Sequence, residues 1–375
     1  MPNILAGSVN GKFGVKPIKS LHVLSLVVND MCNLGCRHCY FQSEHESDAL
    51  TTEEWLRFLD SAFRRLEPVV VTFAGREIFA EPQSAELFFE SIRLLRQLKP
   101  KRRTDLGVIT NGTLLAAYQD RLTATPPDYL DVSIDGLPAQ HDAVRGVGAF
   151  ERVAPQLRWL HDHMQNVWLT PTLNGATILR LAEIISYYRK EYGFRRFSVG
   201  FYVPMVHTDL DLAISKEAFQ AFAEKTLPAL ERVKGLSDCE IIIELDENQK
   251  HLIHSLEVTG YLKAGRPLAS EDFLLDNGLT LTFNIARIPV GLWRSVRVSS
   301  SGGWVAAEDM LRVNEYSRLA TAWVRDCGYD AGKLYQAGLA SARFQELLDA
   351  SPDLQAYYGK DKKSLNQGRR QQALV

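Results

Sequence analysis

The first half of the chain alternates between short, nearly continuous apolar runs and longer stretches in which apolar residues return every third or fourth place. Leu21–Val28, Val69–Phe73, Asp105–Ile109, Tyr129–Ile134, Val167–Pro171 and Arg196–Phe201 are rich in Val, Ile, Leu and aromatics, and each predicts a strand. Helical spacing fills the gaps. Thr51-Thr52-Glu53-Glu54 spells a capping box, and Trp55, Leu56, Leu59 and Phe63 follow on one face. Ser84 is placed to cap the next helix, with Leu87, Phe88, Ile92 and Leu95 along its buried side, and Ala176–Tyr188 predicts another. Repeated strand–helix units of this size imply parallel strands joined by right-handed crossovers.

The second half reads differently. Ser215–Leu227 and Gln249–Leu262 predict helices, and Leu279–Ile285 a strand. Ser295–Val298 with Gly302-Gly303-Trp304-Val305 predicts a hairpin, and Ser317–Val324 and Ala340–Leu348 predict closing helices. Gly359 to Gln372 is polar and basic, as expected of a mobile tail. The expected organisation is a lead-in over 1–20, a core over 21–235, an extension over 236–358 and a tail over 359–375.

Polar motifs appear where the predicted strands end. Cys32–Cys39 follows the first, Ala74-Gly75-Arg76-Glu77 the second, Thr110-Asn111-Gly112-Thr113 the third and Ser133-Ile134-Asp135-Gly136 the fourth. Ligand sites of parallel α/β folds gather at the C-terminal strand ends, so four separate motifs are expected on one face.

Composition narrows the function classes. The 43 Lys and Arg nearly balance the 45 Asp and Glu, which gives no general attraction to nucleic acid or an acidic membrane. No apolar run reaches the length of a membrane span, and Met1 to Ser20 lacks the apolar core of a signal peptide, so a cytoplasmic location is expected.

Asp30-Met31-Cys32-Asn33-Leu34-Gly35-Cys36-Arg37-His38-Cys39-Tyr40 carries three of the five cysteines in a C-x3-C-x2-C run. Structural zinc closes with four ligands, usually as two separated pairs, whereas Cys239 and Cys327 are distant and isolated. An odd cysteine count without a secretory segment argues against disulfides. Three thiolates on one loop can instead hold three irons of a [4Fe–4S] cube and leave the fourth open to a small molecule.

The spacing, with His38 before the third cysteine and Tyr40 after it, resembles the radical S-adenosylmethionine (SAM) superfamily. The resemblance spans roughly Leu21 to Phe201 and implies an α/β fold, a partial (β/α)6 parallel barrel with a C-terminal α+β extension of hairpin and helices. It implies that Cys32, Cys36 and Cys39 bind the cluster and that SAM chelates the open iron. His38 matches the aromatic position near the adenine. Gly75-Arg76-Glu77 matches the Gly-Gly-Glu motif that holds the SAM amino group. Arg76 replaces the second glycine and Ile78 the usual proline, and Arg76 would be strained if its position required a positive φ. Ser133 and Asp135 match the strand end that contacts the ribose. Gly136, His141-Asp142 and Arg145-Gly146 resemble a pattern of the peptide-modifying branch, and Arg145 is the choice for the SAM carboxylate because its fork suits one. Asn111 is expected to contact SAM or to shape its turn.

Gly291 to Met310 resembles the hairpin of a SPASM/twitch extension whose cysteines bind auxiliary clusters. The matching positions fall near Pro289 or Val290 and near Ala307, so no auxiliary cluster is expected. Cys327, Cys239, Tyr202, His207 and Glu244 are weak candidates for hydrogen or proton donors. The expected function is reductive cleavage of SAM to a 5′-deoxyadenosyl radical that abstracts hydrogen from a substrate C–H bond. The substrate expected first is a ribosomally made peptide, and second an amino acid, sugar or nucleoside. The electron would come from a low-potential donor such as flavodoxin or ferredoxin. A non-catalytic SAM-barrel binding module is the alternative of another class.

Overall fold

The computed structural model describes residues 23–39, 48–204, 209–246, 249–263, 268–286, 295–306, 320, 322–339 and 341. In chain order the early elements are β1 (Val23–Leu26), α1 (Thr52–Arg65), β2 (Val70–Phe73), α2 (Pro82–Leu98), β3 (Asp105–Thr110), α3 (Gln119–Ala124), β4 (Tyr129–Ser133), α4 (Pro138–Arg145) and α5 (Ala149–His163). There follow β5 (Val167–Thr170), β6 (Thr172–Leu173), α6 (Leu181–Tyr192), β7 (Arg196–Phe201), α7 (Lys216–Ala221), α8 (Leu227–Glu231) and β8 (Glu240–Leu245). The described chain closes with α9 (Lys250–Val258), β9 (Leu268–Leu274), β10 (Thr280–Ala286), β11 (Ser295–Val298), β12 (Trp304–Ala306) and α10 (Ala331–Leu339). The fold is α/β with a parallel-sheet core.

Contacts divide the chain into one unit of Met1–Gly11, Cys32–Tyr40 and Val108–Arg287 and another of Lys12–Met31, Phe41–Gly107 and Ile288–Val375. In the unit with the cysteine loop, β4, β5, β7, β8 and β10 run parallel in that order, and β9 pairs antiparallel on the far side of β10. Strand side chains alternate between faces, and here the two faces differ in kind. Val132, Leu169, Phe197, Ile241 and Leu281 lie in register across five strands and are fully buried. The opposite face carries Asp131 and Ser133 on β4, Thr170 on β5, Ser198 on β7, Glu244 on β8 and Asn284 on β10. An apolar row of this kind fixes register, because a slip of one residue would exchange it for the polar set.

In the other unit β1 pairs in parallel with both β2 and β11, and β12 returns antiparallel on β11. Leu24, Leu26, Val71 and Phe73 are fully buried there, and Phe88 of α2 meets Phe73 edge-to-face at 5.2 Å. The expected capping box is present. Thr51 Oγ1 accepts from the Glu54 amide at 3.3 Å, and a Glu54 carboxylate oxygen accepts from the Thr51 amide at 2.9 Å. Glu54 also accepts from Arg325 Nε and from the Tyr329 hydroxyl, both at 2.7 Å, so this cap ties α1 to the turn before α10.

Several expectations need correction. Ser84 does not cap α2. Glu81 holds that place with Pro82 after it, and the Ser84 hydroxyl donates to the Glu81 carboxylate at 3.0 Å. Ala176–Tyr188 resolves into a 3-10 turn at Ile178–Arg180 followed by α6, which runs on to Tyr192. Ser215 caps its helix as the pattern requires, but a π-helical stretch at Phe222–Thr226 separates α7 from α8. Past residue 235, β8 pairs in parallel with β7 from Glu240 and β10 adds beyond it. The helix expected at Ser317–Val324 is absent from its described part, where Trp323 makes an isolated bridge to Gly303. The lead-in, the tail, the helix at 340–348, His207 and the positions 289, 290 and 307 lie outside the described residues.

Phe197 is the middle of the apolar row, so Phe197→Ala should cost about 3–5 kcal/mol of stability through its cavity. Urea unfolding followed by circular dichroism measures it, and a loss under about 1 kcal/mol would show the row to be less tightly packed than drawn.

Candidate functional site

The cysteine loop is held from two sides. Its first half rests on Asn111, buried just after β3. Asn111 Nδ2 donates to Asn33 Oδ1 at 2.9 Å and points at Cys32 Sγ at 3.9 Å, while Asn111 Oδ1 accepts from the Thr113 amide and hydroxyl at 2.9 and 2.6 Å. Asn33 Nδ2 closes the ring onto Thr113 Oγ1 at 2.8 Å. Gly112 must be glycine, since its φ is +76° and a Cβ would lie 2.7 Å from the Val153 side chain. The second half is held by α4. The Arg37 amide donates to Val144 O at 2.9 Å, and Arg37 Nε donates to Asp209 at 2.8 Å.

Cys36 is buried, and Cys32 and Cys39 are partly so. Burial pushes the Cys36 thiol up to about 12 against the opposing pull of the Arg145 guanidinium. Among the described residues no three His, Cys, Asp or Glu side chains converge as ligands of a single ion. A cubane spreads its thiolates over separate irons, and three thiols on one loop fit that requirement. The Leu34 amide donates to Cys32 Sγ at 3.4 Å.

Behind the loop lies a buried charge network centred on Asp135, which is fully buried beyond the end of β4. Its Oδ2 accepts from Arg145 Nε at 2.5 Å and lies 3.7 Å from His38 Nε2. Its Oδ1 accepts from the Thr172 amide at 3.2 Å and from Arg145 Nη2 at 3.4 Å. Burial alone would push this carboxyl up, but Arg145 and then His38 outweigh it and hold it at about 2. His141 Nδ1 lies 3.4 Å from the Asp135 amide, and burial and then Arg145 push its imidazole down to about 4. Burial likewise pushes His38 down. The structure thus brings Cys36, His38, Asp135 and Arg145 together, and it directs two nitrogens of Arg145 at Asp135.

Gly75, Arg76 and Glu77 belong to the other unit. Arg76 is not among the positive-φ residues, so the substitution carries no backbone strain. Gly75 packs against Asn29, where a Cβ would lie 3.3 Å from Oδ1. Glu77 is fully buried. Its amide donates to Met31 O at 3.0 Å, its carbonyl accepts from Asn29 Nδ2 at 3.1 Å, and its carboxylate accepts from the Phe79 amide at 3.2 Å. A buried carboxylate held this rigidly is an acceptor suited to an ammonium group.

The weaker candidates scatter. Cys239 precedes β8, at the N-terminal edge of a parallel sheet whose other motifs sit at C-terminal ends, and burial pushes its thiol up to about 11. Tyr202 is buried, with its hydroxyl donating to Asp209 O at 2.9 Å. Cys327 lies in the other unit, in the turn before α10. Sequence reading missed the Asn33–Asn111–Thr113 ring, Arg37 with Asp209, and Asp131. Only Asp131 left a signal, as a charge inside an apolar strand.

Residues 26–187 match the family model of the Radical SAM superfamily. The probable GTP 3′,8-cyclase of Methanocella arvoryzae is 26% identical over 289 residues, covering 74% of this chain and 84% of that protein. The antilisterial bacteriocin subtilosin biosynthesis protein AlbA of Bacillus subtilis is 30% identical over 138 residues, covering 35% of this chain and 29% of that protein. Among solved structures, anSMEcpe with bound AdoMet superimposes with a TM-score of 0.61 at 12% identity, covering 95% of this chain and 98% of that one. Streptococcus suis SuiB bound to its precursor peptide SuiA gives 0.59 at 13%, covering 85% and 67%. The likeness to these structures is one of fold, a parallel α/β partial barrel with added C-terminal strands and helices.

Asp135→Asn leaves the Arg145 charge buried without its partner and should cost about 3–5 kcal/mol. Because the native carboxyl sits at about 2, below the usual ~3.9, its contribution is complete above pH ~4. It is lost as the pH falls through about 2. Thermal melts of wild type and variant from neutral to acid pH should converge at the acid end, and an equal gap throughout would contradict the assignment.

Proposed function

We propose that this chain, a member of the radical SAM superfamily and an enzyme of that class, holds one [4Fe–4S] cluster on Cys32, Cys36 and Cys39 and acts on a peptide. The observation that carries the reading is the loop itself, three thiols fixed by the Asn111 ring on one side and by Val144 on the other. When bound, the reduced cluster and SAM supply a one-electron cleavage that yields a hydrogen-abstracting radical.

The chain's own residues orient and shield. Arg145 places a buried cation near thiolates that would otherwise repel one another, and Asp135 keeps that cation in place. His38 is kept neutral by burial, which suits a ring set against an adenine. Glu77 is the acceptor for the SAM amino group, and Ser133 with Asp135 face its ribose. Neither Cys239, at the far strand edge, nor Cys327 is assigned a role. Electrons would arrive from a low-potential protein donor such as flavodoxin or ferredoxin.

A peptide substrate is supported by the partial match to a bacteriocin biosynthesis protein and by the Gly136-to-Arg145 pattern. A nucleotide substrate is the second reading, favoured by the longer match to a probable GTP 3′,8-cyclase. Incubation under reducing, anaerobic conditions with GTP and with candidate peptides, followed by mass spectrometry of 5′-deoxyadenosine, separates them. Deuterium from the labelled true substrate should appear in that product. Turnover with GTP but with no peptide would overturn the first reading.

Anaerobically reconstituted protein should hold about four irons and four sulfides. Replacing Cys32, Cys36 and Cys39 together with Ala should abolish the visible absorbance, and iron near twice that value would mean a second cluster. Glu77→Gln should weaken SAM binding by roughly tenfold or more, the scale of a lost charged contact, with the cluster retained. Unchanged SAM affinity in equilibrium dialysis would remove Glu77 from the site.

A further inference from the structure

One carboxylate on the polar face of the sheet has nothing to hold. Asp131 lies in the middle of β4, is 1% exposed, and neither of its oxygens has a hydrogen-bond partner. Among the described residues its strand neighbours do not supply one. Trp168, directly opposite on β5, gives its indole N–H to Asn166 Oδ1 at 3.0 Å. Arg196, which stacks over Trp168, donates to Gln165 O and Asn166 Oδ1, both at 3.1 Å, and lies 3.8 Å from Glu240. Arg145 is turned to Asp135. A second carboxylate, Glu244 on β8, occupies the same face and adds its charge to the field at Asp131. Burial, against the opposing pull of the chain's amino terminus and with a smaller push from Glu244, raises the Asp131 carboxyl to about 8.

Buried polar side chains nearly always find partners, and a leucine at this position would serve packing better. A buried carboxylate without a partner, on a polar face beneath the strand ends, is available to a ligand. The two open oxygens accept two N–H bonds side by side, the geometry a guanidinium presents. A cation seated against these oxygens would return the carboxyl to its charged form, and Glu244 on the same face adds to that preference.

We propose that Asp131 anchors the substrate by receiving a cationic nitrogen group, a guanidinium or an ammonium, on the polar face of the sheet. The proposal rests on the enzyme reading above and names the chemical class of its substrate. For a peptide the group would be an arginine or lysine side chain.

The test uses anaerobically reconstituted protein with SAM bound and three probes of one shape, n-butylguanidinium, n-butylammonium and n-butylurea. Equilibrium dialysis should give at least tenfold tighter binding of the guanidinium than of the neutral urea. The ammonium arm shows which cation the site prefers. Asp131→Asn should erase the preference while SAM binding and the cluster absorbance stay as in the wild type, and Glu244→Gln should narrow it. Equal binding of n-butylurea and n-butylguanidinium by the wild type overturns the proposal without any variant. So does an unchanged preference in Asp131→Asn. Reductive SAM cleavage in the same samples reports on the enzyme reading separately. If cleavage occurs without cation preference, only the anchor falls.

Discussion

The buried contact between Asp135 and Arg145 is the constraint on which the cysteine-loop unit turns. One carboxylate receives a guanidinium from the end of α4, the amide at the start of β6 and the approach of a loop histidine. Removing the guanidinium would leave the carboxylate charged in a place that water does not reach. The pair therefore sets the distance between α4 and the strand ends. The Val144 carbonyl, one residue before Arg145, then sets where the cysteine loop can lie. Charge placement and loop placement are one problem, solved by a single buried carboxylate.

Much of this was legible in the chain. Six of the first seven strands, all but the two-residue β6, were visible because buried parallel strands are written as continuous β-branched and aromatic runs, and the Thr51–Glu54 box was visible because capping is local chemistry. β8 was not, although Ile241-Ile242-Ile243 is as apolar as any run before it. It is framed by Glu240 and Glu244, and their charge masks the strand. α4 and α5 were hidden by Pro138, Gly146 and Pro155, residues that usually mark breaks. Pro138 instead sits in the first turn of its helix, where no amide bond is lost.

The site was legible as residues but not as partnerships. Cys32, Cys36 and Cys39 follow from spacing, and their placement on one loop is a matter of sequence. That Arg145 faces Asp135, or that Asn111 serves Cys32 through Asn33 and Thr113, depends on side-chain direction across 10 and 78 positions. No pattern along the chain encodes that. Cys239 shows the converse. Its residue type made it a candidate, and only strand direction shows that it stands at the wrong end of the sheet.

The pitch of β4 has a further consequence. Side chains on one strand face recur about every 7 Å, so Asp131 lies about that far below Ser133 and twice as far below Asp135. The rung between is made of three small polar side chains, Ser133, Thr170 and Ser198. A charged tip seated at Asp131 would then act as a ruler. The number of methylenes between that tip and the rest of the molecule would decide which carbon stands at the level of the strand ends, and so where on the substrate a hydrogen could be taken.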